Sequence, residues 1–112
     1  MQLEAKKYIY DVVQAAEKVS RFIDNKNLID YESDDLLKSG VERQFEIMGE
    51  ALNQLSKIDT LTVNKISNYQ QIISFRNILI HGYADIDDRL VWNIIETKLP
   101  ILIKETKGLL GE

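Results

Sequence analysis

The chain has 112 residues, of which 14 are Lys or Arg and 18 are Asp or Glu, giving a formal net charge of −4. That length suits one domain over residues 1–112 with a real core. The acidic balance excludes a protein that coats nucleic acid by charge alone, while leaving room for RNA in a local basic cleft. With no cysteine, disulfides, thiolate nucleophiles and cysteine-based zinc sites are excluded and a reducing, cytoplasmic setting is expected. The first residues, Met1 to Lys7, lack the uninterrupted apolar core of a signal peptide. No run approaches the ~18 apolar residues needed to cross a bilayer.

In chain order, Ile9, Val12, Val13, Ala16, Val19 and Ile23 recur at helical spacing and predict a first helix over residues 3–25. Asn25-Lys26-Asn27 ends it, and Leu28 to Tyr31 reads as a connector that places apolar residues on the bundle. Ser33 or Asp34 caps a second helix running to about Lys57, with Leu37, Val41, Phe45, Met48, Leu52 and Leu55 on one face. Gly40 and Gly49 each weaken that helix by ~1 kcal/mol relative to alanine. Either a neighbouring helix comes close to them or the weakness is tolerated. Asp59 to Asn68 reads as a loop with one helical turn near Val63 to Ile66.

A third main helix is expected from Tyr69 to His81, with Gly82 as its stop. Asp85 or Asp87 caps the last long helix, which buries Leu90, Val91, Ile94, Ile95 and Leu99. Pro100 must kink or split it because proline has no backbone N–H. The pattern continues to about Leu109. No strand pattern competes, so the expected fold is all-α, an antiparallel bundle of four to five helices. Trp92 reads as an interhelical anchor. Asp85, Asp87 and Asp88 read as capping and dipole residues rather than a metal site.

The chemistry concentrates in Arg76-Asn77-Ile78-Leu79-Ile80-His81-Gly82-Tyr83. Arg76 lies in an apolar stripe, where a guanidinium must pair with a glutamate such as Glu46 or Glu50, or face a ligand. His81 is the sole histidine. It either complements a helix end through its charge or exchanges protons near neutral pH. Five residues apart on an ideal helix, the two point ~140° away from each other and lie ~7.5 Å apart along the axis. They can converge only if the helix unwinds at His81-Gly82, or if a second copy of the chain completes the cleft as a symmetric dimer. Arg43 and Glu50, seven apart on one face, read as a structural charge network.

The run from Arg76 to Tyr83 resembles the R-x4-H-x-Y motif of HepT-like toxins, ribonucleases of the HEPN group. The segment Val41 to Ala51, with its Gly49-Glu50 pair, resembles the second helix of that family, and Val91 to Ile95 with Leu99-Pro100 resembles its last helix. The resemblance implies a homodimeric helical bundle that cleaves RNA with no metal and no cofactor. It also implies a cognate antitoxin, a minimal nucleotidyltransferase of the MntA-like type, that AMPylates the motif tyrosine, here Tyr83.

The side chains suit that chemistry. RNA brings its own nucleophile, the 2′-OH. His81 is then the general acid or base, and Arg76 clamps phosphate and stabilises the transition state. Asn77 either supports His81 or the phosphate, or is a solvated helix residue. The competing reading is a non-catalytic helical module that binds a nucleotidyltransferase partner or its substrate. Such a module has no need of the Arg76/His81 pair.

Overall fold

Local capping fixes where the chain turns. The computed structural model describes residues 1–82 and 86–112. The first helix, α1 (Leu3–Phe22), buries Ile9, Val12, Val13, Ala16 and Val19. It stops earlier than the expected residue 25, because the chain turns through Asn25 at φ 60°, a left-handed conformation that asparagine tolerates. The stretch expected as a connector is itself a short helix, α2 (Leu28–Ser33). Its capping box escaped the sequence reading: the Asn27 side chain accepts from the Asp30 N–H, and the Asp30 side chain accepts from the Asn27 N–H, both at 2.9 Å. That exchange satisfies two backbone donors at once.

Of the two capping candidates, Asp34 caps α3 (Asp35–Ile58) by accepting from the Leu37 N–H. Ser33 instead bonds back to the Ile29 carbonyl within α2. The predicted turn near Val63 to Ile66 forms earlier, as α4 (Thr60–Val63). Asp59 decides its start, accepting from both the N–H and the hydroxyl of Thr62. Those bonds favour the ionised carboxylate and hold its pKa below the usual range.

Helix α5 (Tyr69–Ile80) follows Asn68, which sits at φ 63°. Asp87 caps α6 (Asp88–Thr97) through the Arg89 N–H; the other candidate, Asp85, lies outside the described residues. Pro100 splits the last helix as expected. It stands in the first turn of α7 (Leu99–Leu109), where the missing N–H has no helical partner to lose.

Among the described residues the fold is all-helical, with no strand. Helix α3 is the spine, flanked by α1 on one side and α5 on the other, while α7 packs on α1. Helices α1 and α3 run antiparallel: Phe22, at the end of α1, lies over Gly40 early in α3, whereas Tyr8 and Asp11 share a groove with Glu50 and Gln54. Val41, Phe45, Met48, Leu52 and Leu55 of α3 are fully buried between the two. Each such side chain contributes about 1.5–3 kcal/mol when removed from water. Trp92 is buried as expected and meets the Tyr31 ring at a centroid distance of 5.6 Å. Phe45 and Phe75 meet edge to face at 5.3 Å and join α3 to α5. Among the described residues no helix is long and apolar enough to cross a membrane.

Candidate active site

Helix α5 carries both residues singled out by their chemistry. It puts Ile72, Phe75 and Leu79 into the core against α3. Arg76 emerges beside that buried stripe, and its side chain is only 13% exposed. The close approach anticipated at the glycines is real at Gly49. A Cβ built there falls 2.2 Å from Arg76 Cβ and 2.7 Å from Arg76 Cγ, well inside van der Waals contact. Gly49 therefore lets the root of the arginine lie directly on the α3 backbone. At Gly40 the nearest atom, on the Phe22 ring, stands 3.4 Å away, so that glycine is tolerated rather than required.

The arginine's partner is Glu50, not Glu46: Arg76 Nη1 stands 3.2 Å from Glu50 Oε2. The other oxygen, Glu50 Oε1, accepts from Gln54 Nε2 at 3.0 Å. Arg76 Nε is buried with no hydrogen-bond partner among the described residues. The charge network expected between Arg43 and Glu50 is rearranged, since Arg43 pairs with Glu46 at 3.2 Å, one turn away on α3. Gln54 escaped the sequence reading, although its spacing of four from Glu50 is the local signal that finds such a pair.

His81 occupies a different setting. It is the C-cap of α5, and its N–H still donates to the Asn77 carbonyl at 3.2 Å. The helix therefore does not unwind before His81. The reversal comes one residue later, at Gly82 with φ +65°, a conformation that favours glycine. His81 and Asn77 are exposed. Within one copy, Arg76 faces α3 and His81 sits a turn and a half further along, so the two are not brought into one pocket. Among the described residues, neither lines the α5–α6, α1–α3 or Phe22–Gly40 groove. Tyr83 lies outside the described residues.

Two further features surround the site. A cleft of about 470 Å³ runs between α5 and α6, lined by Gln70, Gln71, Ser74, Ile78, Asn93 and Lys98 among others. On the far side, Lys38 of α3 holds Asp88 at the start of α6, at 3.0 Å. That bond to Asp88 raises the Lys38 pKa. Nearby Glu42 is also pushed up, first by burial and then by Asp88 and Glu46. The Tyr31 hydroxyl, buried with no bonding partner among the described residues, is pushed far up by burial. Among the described residues no cluster of three His, Cys, Asp or Glu side chains is placed to hold a metal.

The Ribonuclease HepT-like family profile matches residues 12–109. The chain belongs to that family. This HepT-like ribonuclease is 27% identical to a "Putative RNase" of Methanocaldococcus jannaschii, over 93% of the chain and 94% of the relative. It is 28% identical to a "Putative RNase" of Caldanaerobacter subterraneus subsp. tengcongensis, over 92% of the chain and 91% of the relative. A "Probable ribonuclease HepT" of Thermococcus cleftensis is 26% identical over 91% of the chain and 92% of its own length. No solved structure matches the chain.

Proposed function

We propose that this HepT-like ribonuclease cleaves RNA by metal-independent transesterification, with Arg76 and His81 as its catalytic residues. The supporting observation is the cooperation of sequence and seat: in a chain of the HepT-like ribonuclease family, the sole histidine ends the same helix that packs the root of Arg76 onto Gly49. A base removes the proton of the 2′-OH, and the resulting oxygen forms a bond to phosphorus. The P–O5′ bond breaks, and an acid returns a proton to O5′. The products are a 2′,3′-cyclic phosphate and a 5′-hydroxyl. Imidazole serves such transfers near neutral pH. The guanidinium forks onto the phosphate oxygens that gain charge, and Asn77 supports the pair.

The active form in this proposal is a homodimer whose two motifs share one cleft. The α5 helix continues through the His81 N–H, so the ~140° between the two side chains persists within one copy. Ile78, Ile80 and Leu90 stand 38–49% exposed on and beside the α5–α6 cleft, as an apolar face awaiting a partner would.

The cellular role we propose is that of a cytoplasmic toxin restrained by an MntA-like nucleotidyltransferase. In the restraining step the Tyr83 phenol oxygen bonds to the α-phosphorus of ATP, and pyrophosphate leaves. The added AMP puts bulk and negative charge next to the arginine's phosphate site. The test is cleavage of a defined RNA in EDTA by wild type, Arg76→Ala, His81→Ala and Tyr83→Phe. Wild type and Tyr83→Phe are expected to yield the cyclic phosphate, and the other two to lose at least ~100-fold. Tyr83→Phe is also expected to escape inhibition by the nucleotidyltransferase. Complete loss in EDTA rejects the metal-free mechanism, equal activity of His81→Ala removes that residue from catalysis, and a wild type that leaves RNA intact leaves a non-catalytic helical module.

A further inference from the structure

Beyond the motif itself, α3 supplies a second set of residues that act on Arg76. Gly49 fixes the root of the side chain, since Cβ and Cγ of Arg76 occupy the space where any larger residue's Cβ would stand. With the root held, only the outer torsions remain to be set. Glu50 meets the guanidinium there through a single Nη1 contact at 3.2 Å. Gln54 holds the opposite carboxylate oxygen at 3.0 Å, so the carboxylate is itself steered. Arg76, Glu50 and Gln54 thus form a relay from α5 onto one face of α3.

A half-exposed ion pair of this kind contributes at most about 1 kcal/mol to stability, too little to account for a guanidinium kept in an apolar stripe. Its geometric consequence is larger. Arginine has five donors in a rigid plane. Glu50 engages Nη1 and Nε is buried, which leaves the other Nη donors for a second anion. The side on which that anion arrives is set by charge. Asp11, Glu46 and Glu50 line one groove of about 210 Å³ between α1 and α3 together with Arg43, which pairs with Glu46, and the net negative charge left there repels a phosphodiester. The remaining approach is from the side away from α1.

We propose that Glu50, steered by Gln54, is a positioning residue that fixes the plane of the Arg76 guanidinium and directs its remaining donors to the scissile phosphate. This inference rests on the ribonuclease assignment of Arg76. It assigns Glu50 a role distinct from that of a competitor that phosphate must displace, and the two roles predict opposite signs. Preorganised donors act at full strength in the transition state, whereas a misplacement of about 1 Å costs on the order of 100-fold.

The experiment compares wild type with Glu50→Ala, Glu50→Gln and Gln54→Leu in two readouts, alongside their melting temperatures. One readout is kcat and KM on a short RNA. The other is the 15N NMR signal of the Arg76 guanidinium, which reports its restraint whether or not RNA is cut. Glu50→Ala is expected to lower kcat by ~10–100-fold with KM changed less than about threefold and the melting temperature kept. It should also release the guanidinium to free rotation. Glu50→Gln, which retains an acceptor oxygen of the same reach, is expected to restore most of both losses, and Gln54→Leu to show a smaller loss of kcat. A guanidinium equally restrained in Glu50→Ala overturns the proposal, as does a variant that cleaves as fast as wild type or faster with a lower KM. A wild type that shows the restraint but leaves RNA intact overturns the ribonuclease role of Arg76 and not the restraint by Glu50.

Discussion

The two ends of the motif live in opposite surroundings. Arg76 is wedged onto the backbone of α3 at Gly49, its Nε buried and its tip paired with Glu50. His81 is exposed at the last turn of α5, followed by a glycine in the left-handed region. One residue is placed by the packing of two helices, the other by where a helix stops. The arginine is consequently expensive to disturb and tied to the core, while the histidine stands at a helix end outside it. A site built this way, if it acts as proposed, holds the arginine rigid and leaves the histidine accessible.

The strongest way to break this contrast is to alter the seat. Gly49→Ala is expected to destabilise the chain by about 2 kcal/mol or more, because the new methyl overlaps Arg76 Cβ. Gly40→Ala meets only ordinary contact with Phe22 and is expected to stabilise by up to ~1 kcal/mol through helix propensity. Urea unfolding of both variants checks the pair, and similar midpoints would mean that Gly49 is not the seat. Next in size, Arg76→Ala removes a stem packed on α3 and is expected to lose about 1–2 kcal/mol. His81→Ala is expected to cost less than Arg76→Ala, about 1 kcal/mol or below, because it leaves no gap in the core. Comparable losses in the two would erase the distinction between a residue tied to the core and one at a helix end.

The smallest expected effect sharpens the picture on the other side of α3. Glu42 is raised in the folded chain by burial, Asp88 and Glu46, with Lys38 opposing. The folded state therefore holds that proton to higher pH than the unfolded chain does. Stability is lost as pH rises through the folded value, and Glu42→Gln removes the loss. Its melting temperature is expected above that of wild type at pH 7, with the gap closing on acidification to about pH 4. A gap that does not change with pH would assign the gain to packing instead.

Much of this was legible before any coordinates. The helical periods located α1, α3, α5 and the last helix, since apolar residues at three- and four-residue spacing state which face is buried. Pro100 announced the break between α6 and α7, and the R-x4-H run falls on α5 and its C-cap. The short helices α2 and α4 were not found, because four or six residues show too little period. Their evidence lay in the caps Asn27 and Asp59 instead. The partner of Arg76 was open between Glu46 and Glu50. Both carboxylates belong to α3, four residues and ~6 Å of axial rise apart, and nothing local distinguishes them.

The sequence by itself determined what is set within a few residues: helix faces, capping, the stop at Gly82, and the ~140° that keeps Arg76 and His81 apart on one continuous helix. The tertiary structure alone decided the docking register of α5 on α3. That register turns Gly49 from a tolerated weakness into a seat and chooses Glu50 over Glu46. The reason is that interhelical register depends on how two whole surfaces of side chains fit together, and no spacing within either helix encodes it.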